Sequence, residues 1–294
     1  MKSSFPIYSL MISLALSQVV SACTPQTPPT PEPPTATVSN SALPNVTLPG
    51  SEVRQIKSSE TGRDYDIYIR PPDDYARDKN KKYPVLYLLD GQWDFKLLDS
   101  IYGGLYYDGF VPEMIIVSIT YSGVHPDYES LRAMDYTPFH DPYVQGSGDA
   151  PKFLAFLKKE LFPLIESDYR IDTSRRVLMG HSFGGTFTLY AMFSEPELFS
   201  GYVAGSPAVV FGDNFAFKQE AEYASTHQDL PVRLYLFVGG EEDLKYPVEE
   251  FMQVLGDRNY PGLELETRTL EGERHAGVKP EGFNRGLRYI FYGK

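Results

Sequence analysis

One cysteine, one tryptophan and five histidines in 294 residues leave little material for several kinds of chemistry. With Cys23 as its only cysteine, the chain can form no internal disulfide and no cysteine-rich zinc or iron–sulfur site. The histidines stand at 125, 140, 181, 227 and 275, and no two share the i, i+4 spacing that seats a metal on one helix face. We therefore expect no metal and no cofactor. Basic residues are also in deficit, 27 against 39 acidic, giving a formal net charge of -12. Nucleic-acid binding depends on neutralising phosphates, so that class is excluded, and an anionic lipid surface would repel the chain unless something anchors it. What remains is ordinary globular material, 42% hydrophobic and 22% charged, which excludes a mainly disordered, collagen-like or coiled-coil protein.

The first residues read as an export address. Lys2 supplies a positive start, residues 7–20 are apolar apart from Ser and Gln and one Tyr, and Val20-Ser21-Ala22-Cys23 follows. The apolar stretch is too short to span a bilayer, which favours a signal peptide over a transmembrane helix. Small residues just before the cysteine resemble the lipobox of bacterial lipoproteins, which implies lipidation of Cys23 and a place in the bacterial cell envelope, periplasmic or at the cell surface. Residues 24–50 hold eight of the chain's 24 prolines, mixed with Thr, Ser and Asn. Such a segment favours extended backbone and reads as a semi-rigid tether. The expected organisation is a signal peptide over 1–22, a lipidated cysteine and tether over 23–50, and one catalytic domain over 51–294.

Beyond the tether, strand-like and helix-like segments alternate. Residues 64–70 place Tyr65, Ile67 and Ile69 on one face, as a half-exposed strand does. Residues 84–89 and 114–120 are continuous apolar runs, expected of strands covered on both faces. Further strands are predicted at 176–179, 202–204, 233–238 and 264–270. Helices are predicted at 151–166, with Asp149 as cap and Pro163 as a kink or end, and at 184–193, 246–258 and 283–292. This alternation predicts an α/β fold, a mostly parallel central sheet with helices on both faces.

Gly180-His181-Ser182-Phe183-Gly184-Gly185 lies between a predicted strand and a predicted helix. In that context G-x-S-x-G is a nucleophile elbow, a sharp turn that leaves the serine hydroxyl exposed at the strand end. A serine hydroxyl needs a base to take its proton. His275 follows the last predicted strand and is the candidate, while His181 adjoins the serine and should pack elsewhere. The loop Gly239-Gly240-Glu241-Glu242-Asp243 offers three carboxylates for the acid that orients the base. The backbone N–H groups of Phe183 and of Gln92, just past Asp90-Gly91, are the candidate oxyanion hole. Trp93 and Phe95 are expected near the pocket mouth, with Trp93 a candidate for substrate contact.

These features resemble the esterase branch of the α/β hydrolases that includes esterase D-like enzymes and periplasmic siderophore esterases. The resemblance runs from about Ser51 to the C-terminus. It rests on the segment Tyr83 to Gly91, Arg132-Ala133-Met134-Asp135-Tyr136-Thr137-Pro138, the serine elbow, Gly205-Ser206-Pro207, and Glu271 to Gly277. It implies the α/β-hydrolase fold and an acid three residues after the glycine ending the penultimate core strand, which is Glu242, with Asp243 as runner-up. It also implies that Arg132 either helps hold an anionic ligand or simply pairs with Asp135, the structural role being preferred. With no basic cluster evident for a triply charged iron–catecholate, the sequence favours a plainer small-molecule ester. A serine ester hydrolase is thus expected, with a siderophore trilactone esterase, an acyltransferase of the same fold and a non-catalytic binding lipoprotein as alternatives.

Overall fold

The eight strands are β1 (Glu52–Lys57), β2 (Asp64–Arg70), β3 (Tyr83–Leu88), β4 (Ile115–Tyr121), β5 (Ile171–His181), β6 (Gly201–Gly205), β7 (Arg233–Gly239) and β8 (Glu264–Leu270). They form one sheet in the order β1-β2-β4-β3-β5-β6-β7-β8. The first two pairings, β1 with β2 and β2 with β4, are antiparallel, and all the others are parallel. The computed structural model describes residues 47–292. The expected signal peptide, Cys23 and most of the tether lie outside the described residues.

Burial follows the patterning. Every residue of β3 and β4 is buried, whereas β2 buries Tyr65, Ile67 and Ile69 on one face only. Helices α1 (Gly91–Tyr107) and α8 (Lys279–Tyr292) cover one face of the sheet, with Phe95, Leu98, Phe283 and Leu287 packed over Leu86, Val203 and Phe237. On the other face lie α2 (Tyr128–Tyr136), α3 (Ala150–Phe156), α4 (Phe162–Asp168), α5 (Phe183–Ser194), α6 (Phe211–Thr226) and α7 (Lys245–Arg258). There Phe153 sits among Tyr65, Tyr136, Phe156 and Phe187, which braces α5 from behind. Each such fully buried aromatic contributes about 1.5–3 kcal/mol by leaving water.

Several expectations need correction. The helix predicted at 151–166 is α3 and α4 joined by a π-helical turn, Leu157–Leu161, where the Phe162 N–H donates to the Leu157 carbonyl. Pro163 explains the widening: it has no N–H to give, and its ring would collide with the carbonyl four residues back. Asp149 does precede α3, but its side chain does not cap the helix and bonds Arg63 and Lys152 instead. Phe95 is buried core beside Tyr68 and not at a pocket mouth. β1, α1, α2 and α6 were not predicted. In α1 the signal existed, because Phe95, Leu98, Tyr102 and Leu105 recur at helical spacing, but Gly91 at its start and Gly103-Gly104 within it obscured the pattern.

Candidate active site

Strand topology places the chemistry. The chain leaves β3 for β4 on one side, then returns to β5 on the other, so a crevice opens at the carboxyl ends of β3 and β5. Ser182 lies at the end of β5 and Asp90 just past β3, with Glu242 after β7 and His275 after β8. All four therefore reach the same edge of the sheet.

Ser182 occupies the turn between β5 and α5 with φ 60° and ψ -123°, a left-handed conformation costly to any residue except glycine. The surroundings hold it there: its N–H donates to the Gly205 carbonyl at 2.9 Å, and its carbonyl accepts from Thr186 N–H at 2.9 Å. The turn closes because two neighbours lack side chains. A Cβ at Gly180 would lie 2.3 Å from the Gly184 carbonyl oxygen, and one at Gly185 would lie 2.6 Å from that of Gly205. The Gly-x-Ser-x-Gly-Gly spacing is thus a steric requirement of strand and helix packed this closely.

Glu242 is the carboxylate bonded to His275; Asp243 is not. Its Oε2 accepts from His275 Nδ1 at 2.5 Å, and its Oε1 accepts from Ser206 Oγ and from Gly239 N–H, each at 2.5 Å. Burial pushes this carboxyl upward, but the three hydrogen bonds outweigh it and hold the group below its ordinary 4.5. The two loops are also tied to each other, since Gly240 N–H donates to Leu270 O and Glu241 N–H to Glu273 O. The Glu242 side chain is 3% exposed, while that of His275 is 44% exposed and faces a cavity of about 390 Å³. Ser182, His181, Trp93 and Arg132 line the same cavity. A larger cavity of about 550 Å³ lies at the amino-terminal ends of the strands, among Arg175, Ser200, Arg233 and Glu264, and contains no nucleophile beside a base.

Phe183 opens α5, and Gln92 is the second residue of α1, positions whose N–H groups have no intrahelical partner. The two helix starts adjoin, as a Cβ on Gly184 would lie 3.2 Å from Asp90 Oδ2. Two N-termini converging beside Ser182 create a region of positive potential suited to a developing oxyanion. The Gln92 side chain itself is engaged with Thr120 at 2.8 Å and with Asp90.

Arg132 corrects the expectation. It does not pair with Asp135; its Nε and one terminal nitrogen donate to the two oxygens of Asp90 at 3.0 and 2.8 Å. Asp135 is fully buried and instead meets Arg63 at 2.6 Å and the Tyr65 hydroxyl at 2.7 Å. Trp93 does line the cavity, 39% exposed, with the Arg132 guanidinium 5.4 Å from its ring centre. Sequence reasoning missed Asp94, whose Oδ1 meets Lys279 Nζ at 2.5 Å across the cavity wall. Burial pushes the Asp94 carboxyl up to about 6 despite Lys279. It also missed the hydrogen bond from Ser206 to Glu242, although Ser206 stood in a recognised motif. His181 packs against His275, ring centres 4.6 Å apart. Burial holds it well below its ordinary 6.5, aided by the adjoining His275 ring and the facing charges of Lys279 and Arg132, so it is a neutral neighbour.

A parallel sheet flanked by helices, with a serine elbow and an acid–histidine pair at its carboxyl edge, defines an α/β hydrolase. The family model described as "Putative esterase" matches residues 58–276. The chain is 30% identical over 272 residues to the ferri-bacillibactin esterase BesA of Bacillus subtilis, covering 84% of this chain and 91% of that one. It is 28% identical to the siderophore triacetylfusarinine C esterase of Aspergillus fumigatus, over 56% of this chain and 58% of the relative. Among solved structures, the BES protein from Bacillus cereus superposes with a TM-score of 0.77 at 26% identity, covering 86% of this chain and 99% of that one. The chain belongs to this esterase family and is an ester hydrolase.

Proposed function

We propose that this protein is a serine carboxylic-ester hydrolase working through an acyl-enzyme, with Ser182 as nucleophile, His275 as base and Glu242 as the acid that orients it. The observation that carries the reading is the hydrogen bond from His275 Nδ1 to Glu242, with His275 and Ser182 on the wall of one cavity. With Nδ1–H bound to Glu242, the Nε2 lone pair of His275 is left to accept the Ser182 proton as Oγ attacks the ester carbonyl. The N–H groups of Phe183 and Gln92 would receive the resulting oxyanion. His275 then returns the proton to the departing alcohol, and water repeats the sequence to release the acid. The relatives' names extend the proposal to the substrate class, esters of siderophores.

The test is covalent. A fluorophosphonate should label Ser182 stoichiometrically and stop turnover, and a p-nitrophenyl ester should release a burst of about one equivalent if deacylation is slow. An inhibited protein carrying its adduct elsewhere would remove Ser182 from the mechanism.

We further propose, from the sequence alone, that acylated Cys23 anchors the domain in the bacterial cell envelope through the 24–50 tether. Lipid chains contribute about 0.8 kcal/mol per buried CH2, enough with two or three chains to hold an acidic protein at a membrane. Cys23→Ala should shift the protein from the membrane fraction to a soluble or unprocessed form. Recovery of the unsubstituted protein in the soluble fraction of its host would refute the anchor.

A further inference from the structure

The cavity beside Ser182 contains two cations, and carboxylates of the same chain engage both. Arg132 is held by both oxygens of Asp90, and its remaining terminal nitrogen lies 3.6 Å from Glu129. Its guanidinium also lies 5.4 Å from the ring centres of Trp93 and of Phe183, so the charge is enclosed by carboxylate and aromatic surface. Lys279 is paired with Asp94 at 2.5 Å. Among the described residues no other lysine or arginine lines this cavity. The lining therefore carries three carboxylates against two cations, with His181 kept neutral by burial.

Charge of this kind acts in two places. Asp90 and Asp94 are each 2% exposed, where solvent screens them little. Lending Arg132 or Lys279 to a second anion would mean leaving one of these buried carboxylates without its partner, a costly exchange. Glu129, its side chain 72% exposed, stands at the rim and meets an approaching ligand first. The chain's net charge of -12 adds a long-range field of the same sign.

We propose that this site selects esters of low charge and rejects multiply anionic ones. Among ester-linked iron chelates it would take an uncharged ferric trihydroxamate in preference to a trianionic ferric tricatecholate. The inference rests on the ester-hydrolase reading above and adds the charge class of the substrate. Arg132 is here the partner that neutralises Asp90 and positions the loop before α1, not a ligand-holding cation.

The experiment uses two matched pairs of substrates. The first is p-nitrophenyl valerate against mono-p-nitrophenyl glutarate, equal in chain length and differing by one carboxylate. The second is an uncharged ferric trihydroxamate triester against a trianionic ferric tricatecholate trilactone. With kcat/KM divided by each spontaneous hydrolysis rate, the neutral partner should lead by about tenfold or more at low salt, and the gap should narrow as salt rises. Glu129→Lys, at an exposed position that should not disturb folding, should raise the ratio of kcat/KM on the anionic partner to that on the neutral one by several-fold. Asp94→Asn, which frees Lys279, should act in the same direction. Equal turnover within each pair, or a ratio unmoved by both salt and Glu129→Lys, would overturn the charge selection while leaving the hydrolase reading intact. Turnover of none of the four substrates would overturn the hydrolase reading itself, and this inference with it.

Discussion

Ser182→Ala is expected to yield a folded protein with no measurable ester turnover, a loss on the order of 10^6-fold in kcat, the scale seen when a serine-protease triad loses its nucleophile. The fold should survive because the elbow is held by backbone groups. The Ser182 N–H to Gly205 and the Thr186 N–H to Ser182 carbonyl bonds remain with alanine, and so does the room made by Gly180 and Gly185. Alanine also meets the left-handed conformation at about the same steric penalty as serine. Circular dichroism and thermal unfolding should therefore match the unsubstituted protein while kcat collapses. Retained activity in a folded Ser182→Ala protein would end the mechanism proposed here.

Glu242→Gln should lower kcat by about 10^3 to 10^4, with a much smaller change in KM. The reason lies in which oxygen does what. Oε1 already accepts from Ser206 Oγ and Gly239 N–H, so the amide oxygen of glutamine belongs on that side. Its NH2 group must then face His275 Nδ1, where glutamate now accepts a hydrogen bond. The histidine would be driven to the tautomer that carries its proton on Nε2, where it cannot serve as a base. Asp243→Asn should be nearly silent, because among the described residues Asp243 makes no hydrogen bond or ion pair with His275. A silent Glu242→Gln beside a crippled Asp243→Asn would transfer the role. Acid should also matter. Since the folded Glu242 carboxyl is held below its ordinary 4.5, its stabilising contribution is present above that value and disappears as pH falls through the lower folded one.

The site was readable in sequence wherever short-range sterics govern it. Gly180 could be interpreted because a strand turning straight into a helix needs it, a Cβ there meeting the Gly184 backbone, whereas the need for Gly185 comes from the Gly205 carbonyl on the neighbouring strand. Strand and helix periodicity, which is local, placed Ser182, the 239–243 loop and His275 each after a predicted strand, and the order of nucleophile, acid and base was what the hydrolase pattern implied. The same locality explains the misses. Pro163 was expected to kink or end its helix; that the helix continues through a π-helical turn, with Phe156, Leu157, Leu161 and Phe162 all buried on either side, was not legible in the local pattern.

Composition and pattern alone therefore determined the α/β class, the elbow, the candidate base and a choice of three carboxylates. Tertiary structure decided the partners of the charges. On the sequence, Arg132 and Asp135 stand three residues apart and were expected to pair. In the fold, Arg132 meets Asp90, 42 residues away, and Asp135 meets Arg63. A buried ion needs a partner with good geometry at its own depth, and proximity along the chain confers neither depth nor orientation. For that reason the charge balance of the cavity, and with it the kind of ester this site can admit, is a property of how α1, α2 and α8 come together around the end of the sheet.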